Sequence, residues 1–144
     1  MTDKVLQSII LTNHKFIRDM YKLTFVYFHQ LSQKRNPNPR FVGLSFVALT
    51  AMFQFVFLLG LLRYTLGIII PRFDENYFLN KMYLVPFALL WLFAFEIIYN
   101  KKRTKRILNT YIDKPKVTNL KNTIFVLLFM LVPLIVGIFL FNNG

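Results

Sequence analysis

Three apolar runs, at residues 41–70, 83–99 and 124–141, constrain this chain more than any other feature. Crossing the hydrocarbon core of a bilayer takes about 20 apolar residues in a helix, and each run falls in or near that range. Backbone in lipid has no water to bond, so each run is expected to be an α-helix that satisfies its own amides. A barrel would show many short segments of alternating polarity, and none occur. Of the 144 residues, 56% are hydrophobic and 17 are phenylalanine. A soluble domain of this size has too little interior to hide that surface. The expectation is an all-α integral membrane protein with three transmembrane helices.

Charge sets the orientation. Residues 1–40 hold seven Lys or Arg against two acids, and residues 100–122 hold eight against Asp113 alone. The connection at 71–82 balances Arg72 and Lys81 against Asp74 and Glu75. Positive segments stay in the cytoplasm. The amino terminus and the 100–122 loop are therefore expected inside, and the 71–82 connection and the carboxyl terminus outside, in a multi-pass inner (plasma) membrane protein. Both basic segments then fall on one side, as three spans require. The first forty residues carry no secretory signal pattern, so the run from residue 41 is expected to act as an uncleaved signal anchor. The chain divides into a basic helix and turn at 1–40 and a three-span part at 41–144, with the basic cytosolic loop at 100–122.

Residues 2–33 read as one long amphipathic cytosolic helix, ended by the turn Asn36-Pro37-Asn38-Pro39, since proline cannot continue a helix. Lys4, Ser8, Leu11, Lys15, Arg18, Lys22, Phe25 and His29 recur at three- and four-residue steps and are assigned to one face. Leu6, Ile10, Ile17, Met20, Tyr27 and Leu31 are assigned to the opposite, apolar face. One expectation is a helix lying in the headgroup layer, its cations toward anionic phosphates. Another is that copies associate through the apolar face and line a groove for a polyanion. In that arrangement Tyr21, Phe25 and Phe28 would stack bases while Lys15, Arg18 and Lys22 hold phosphates. Lys4 and His29 complete this candidate ligand-binding set. The cations at 101–106 read as a stop-transfer anchor on anionic lipid.

Polar groups inside spans are costly and few. Gly43, Val47, Thr50, Gln54 and Leu61 are assigned to one face of the first span, as a packing surface or a pore lining with Gln54 as its polar ring. Arg63 is expected near the outer surface, too far from Glu96 to pair with it. Glu96 is expected to pair with Lys101, Lys102 or another subunit, or to stand with Thr50, Gln54 and Leu61 in a pore lining, as a charged ring at the inner mouth.

Catalytic chemistry is missing from the pattern. There is no cysteine. His14 and His29 have no partner cluster in the sequence, and no phosphate loop, metal motif or nucleophile elbow occurs. The expectation is therefore a protein that is not an enzyme and needs no cofactor or metal. Its expected partners are anionic lipid headgroups, identical subunits and a nucleotide or nucleic-acid signal. Two functions compete: a homo-oligomeric channel or pore-forming effector gated through its basic helices by an anionic signal, and a non-catalytic scaffold or accessory subunit of a larger membrane complex. A peripheral lipid-organising protein is a third expectation. In layout, a basic amino-terminal helix followed by a few spans, the chain resembles the small membrane effectors of bacterial anti-phage defence, including the Hailong type. That resemblance implies an ion channel of antiviral defence acted on by a nucleic-acid signal, with Lys15, Arg18 and Lys22 as contacts.

Overall fold

The computed structural model describes residues 2–67 and 77–143, the side chains of 2–6, 8, 9, 77–81 and 83 excepted. Residues 71–76 of the 71–82 connection therefore lie outside the described residues, as does the side chain of Lys4. Five helices follow one another: α1 (Thr2–Ser32), α2 (Pro39–Leu66), α3 (Tyr77–Ile98), α4 (Lys101–Thr110) and α5 (Leu120–Asn143). Among the described residues there is no strand. Two helices, α2 and α5, are long and apolar enough to cross a membrane. A third crossing is reached only by joining Leu84–Ile98 to α4 across a bend of 64°.

The turn between α1 and α2 is built as its residues dictate. Asn36 Oδ1 accepts the Asn38 amide at 2.9 Å, and Asn38 Oδ1 in turn accepts the Phe41 amide at 3.2 Å. Asn38 is thus the N-cap of α2, and Pro39, which has no amide to satisfy, takes the first helical position. At the other end Gly67 adopts φ 61° and returns its amide to the Arg63 carbonyl at 3.0 Å. A left-handed cap of this kind favours glycine, and it ends α2 at Leu66, short of the expected residue 70.

Helices α2 and α5 share the largest interface of the fold, followed by α1 and α2. A Cβ on Gly60 would stand 2.5 Å from the Gly137 carbonyl oxygen, and one on Gly137 would stand 2.7 Å from the Phe57 Cα. Both glycines are there because the two backbones touch. Near the same end, the Arg63 guanidinium lies 4.5 Å from the Phe141 ring centroid. Helix α3 is tied to α2 by the Trp91 indole, which donates to the Ala48 carbonyl at 2.9 Å. Phe87, Trp91, Phe95 and Tyr99 form an aromatic ladder at four-residue steps, with centroids 5.9, 5.7 and 6.3 Å apart.

Two expectations about this architecture need correction. The stretch after residue 100 does not begin as a loop. Asn100 Oδ1 accepts the Arg103 amide at 2.9 Å and starts α4, whose Thr104 and Ile107 are buried while Lys101, Lys102, Arg103, Lys105 and Arg106 are exposed. The polarity of α1 is also not as assigned. Residues 24–28 are all buried, with Phe25 and Val26 at 0% exposure, so both supposed faces are enclosed there. Ile10, Ile17 and Leu31 of the assigned apolar face are exposed, which leaves that part of the face open to lipid. The reason is that the second half of α1 is surrounded rather than laid on a surface. Phe28 stacks on Phe46 of α2 at 3.6 Å, Tyr27 bonds Thr123 of α5 at 3.0 Å, and Gln30 accepts the Val117 amide at 2.9 Å. The core consequently sits where α1, the first half of α2, α4 and α5 meet.

Candidate anion-binding surface

On α1 the carboxylate of Asp19 sits between two of the candidate cations, 3.8 Å from Arg18 Nε and 3.5 Å from Lys22 Nζ. Lys15 and Arg18 are exposed and Lys22 is half-buried. The same Asp19 lies close enough to Tyr111, just past α4, to add to the burial that raises that phenol above its ordinary value. Two basic segments some eighty residues apart in sequence are therefore neighbours. The structure brings Arg18 of α1 and Arg103 of α4 to one groove, and all five cations of α4 are exposed. Positive charge gathered this way raises the local potential and draws anions. Its individual cations are worth little as surface pairs, because water and salt screen them.

The other members of the sequence-derived set are placed elsewhere. His29 is partly enclosed, its ring 5.9 Å from Phe25, and its Nδ1 is buried without a partner. Phe25 and Phe28 are in the core and have no face left to offer a base. Burial holds the His29 imidazole below its ordinary range, so the neutral ring is the folded form. The unfolded chain then binds the proton more readily. The resulting stability is complete above a pH of about 6.5 and is lost as pH falls toward the folded value. Unfolding in detergent is expected at lower denaturant as pH drops from about 7.5 to about 5, and His29→Gln should flatten that slope. An unchanged slope in the variant would assign the effect to another group.

Of the candidate pore residues, Thr50 is fully buried and donates to the Phe46 carbonyl at 2.7 Å. Gln54 Oε1 accepts a hydrogen bond from the Tyr21 hydroxyl of α1. Burial, then the neighbouring Tyr99, pushes that hydroxyl up to about 12, so it remains a donor. Leu61 is partly exposed, at 36%.

Glu96 pairs with neither Lys101 nor Lys102. Its Oε1 lies 2.7 Å from the Arg40 guanidinium, which also donates to the Tyr99 carbonyl at 2.9 Å and to Thr104 Oγ1 at 3.3 Å. Sequence reasoning missed Arg40 as the partner. The signal was available: Arg40 stands at the start of the first apolar run and Glu96 near the end of the second, so an antiparallel pair of helices puts them at one level.

Among the described residues no three His, Asp or Glu side chains gather as a metal site. No family model matches the chain, and neither a curated protein nor a solved structure matches it.

Proposed function

We propose that this chain is a non-enzymatic membrane scaffold, anchored by its apolar helices, that docks acidic lipid headgroups on a basic cytoplasmic surface. One observation carries this reading: Arg18 of α1 and Arg103 of α4 line one groove, with Lys15 and the other α4 cations exposed, while Thr50, Gln54 and Glu96 are bonded within the protomer. The exposed apolar side chains of α1, among them Ile10, Leu11 and Phe16 beside Lys15 and Arg18, suit a helix at a headgroup boundary. In this proposal the amino terminus and α4 are cytoplasmic, α3 is the second of three spans, and the carboxyl terminus is outside.

Native mass spectrometry of the purified protein, loaded with equal phosphatidylglycerol and phosphatidylcholine, tests it. The anionic lipid should be retained preferentially, and the preference should shrink as salt rises. Equal retention at low salt would contradict the proposal.

A second reading, the homo-oligomeric channel gated by a nucleotide or nucleic-acid signal, is favoured by the outer flank of α3. Val85, Leu89, Leu90, Phe93 and Ile97 are uncovered there and could meet a second copy. Under that reading a ring of identical subunits appears in detergent, and Gln54→Leu changes ion flux through liposomes while Tyr21→Phe does not. Under the scaffold reading neither variant changes flux. Each instead lowers stability by about 1 kcal/mol through the lost hydrogen bond. Saturable binding of a single-stranded oligonucleotide, abolished by Arg18→Glu with Lys22→Glu, would also favour the channel.

A further inference from the structure

A groove of about 370 Å³ opens between α1 and the corner where α3 turns into α4. It is an open groove rather than an enclosed cavity. Arg18 and His14 enter it from α1, and Arg103 enters it from α4. No carboxylate lines it. Of the nearby acids, Glu96 faces Arg40, and Asp19, which does not line the groove, stands 3.8 Å from Arg18 Nε and 3.5 Å from Lys22 Nζ. Two guanidiniums lining one groove, with one carboxylate shared between Arg18 and Lys22, leave it net positive and attractive to an anion. Arg103 is also held in place, donating to the Ile98 carbonyl at 3.2 Å and lying 5.0 Å from the Tyr99 ring centroid. A positioned guanidinium loses less freedom on binding, and its planar fork matches two oxygens of a phosphate.

Tyr21 and Tyr99 also line the groove, and its remaining wall is apolar. Ile17, Phe95 and Ile98 supply that wall, and Ile98 is itself half exposed. A free phosphate would use the cations and leave that wall wet. A phosphate carrying a hydrocarbon chain would use both.

We propose that this groove is a discrete site for an anionic phospholipid, its phosphate between Arg18 and Arg103 and its acyl chain along Ile17, Phe95 and Ile98. The proposal rests on the reading that the basic surface faces acidic headgroups, and it adds a specific seat to a diffuse attraction. His14, which the sequence left without a role, stands at the anionic end.

The test compares two variants that each remove two positive charges. Arg18→Gln with Arg103→Gln empties the groove of guanidinium, and Lys105→Gln with Arg106→Gln removes equal charge from exposed positions of α4 that do not line it. By native mass spectrometry the groove variant should lose phosphatidylglycerol affinity by at least about 10-fold, and the α4 variant should keep most of it. Soluble glycerol phosphate should compete at least about 50-fold more weakly than phosphatidylglycerol, because it buries no chain. Ile98→Ser, which keeps both guanidiniums, should weaken the lipid and leave glycerol phosphate unchanged. Equal losses in the two charge variants would overturn the site and leave the diffuse surface standing. Competition by glycerol phosphate as strong as by the lipid would overturn the acyl seat. A wild-type protein with no preference for phosphatidylglycerol would sink the site together with the reading beneath it.

Discussion

Gly137→Val is expected to unfold the protein at far lower denaturant than wild type, with a loss above about 3 kcal/mol. At this position a Cβ would meet the Phe57 Cα at 2.7 Å and the Phe57 nitrogen at 2.8 Å. Those are backbone atoms, and no side-chain rotation can move them aside. The two helices would have to separate, and theirs is the largest interface in the fold. Gly67→Ala is the useful contrast. Nothing lies within 4 Å of a Cβ there, but φ is 61°, so only left-handed strain of about 1–2 kcal/mol is expected. Titration with sodium dodecyl sulfate in mixed micelles measures both. Equal, small losses would mean that α2 and α5 do not approach as closely as Gly60 and Gly137 require.

Arg40→Met should cost about 2 kcal/mol and loosen the corner between α3 and α4. One guanidinium holds three acceptors there: Glu96, the Tyr99 carbonyl and Thr104 Oγ1. Removing it strands a carboxylate at the end of an apolar helix, which is the expensive way to break an ion pair. Glu96 is 41% exposed and Arg40 21%, so water recovers part of the loss and the expected cost lies below that of a fully buried pair. Arg40→Lys should fall between wild type and Arg40→Met, since one ammonium cannot reproduce the planar fork. Adding Glu96→Leu to Arg40→Met should recover stability. If the double variant is as unstable as the sum of the singles, the two side chains are not coupled.

Much of this fold is legible in the residues. The length and polarity of α2 and α5 follow from lipid being their solvent, and the α1–α2 turn follows from Asn38 and Pro39. The α1 helix is legible as a helix but not in how it packs. Periodicity separates apolar from polar, yet Ile17 exposed and Phe25 enclosed are both apolar. In a bilayer, apolar identity alone does not tell a lipid contact from a protein contact. In α4 the cations masked the pattern: Thr104, Ile107, Leu108 and Tyr111 recur at three- and four-residue spacing and face inward. The joining of Arg18 to Arg103 in one groove was out of reach, because no local spacing relates two helices so far apart in the chain.

The central claim is that the cations of α1 and α4 share one side of a membrane that α5 then crosses. The chain has no cysteine, so single ones can be introduced at Gln33, Lys105, Lys116 and Asn142 and labelled in intact cells by an impermeant maleimide. Only Asn142→Cys should react from outside, and the other three should react once the membrane is opened. External labelling of Lys105→Cys, or protection of Asn142→Cys together with it, would contradict the account.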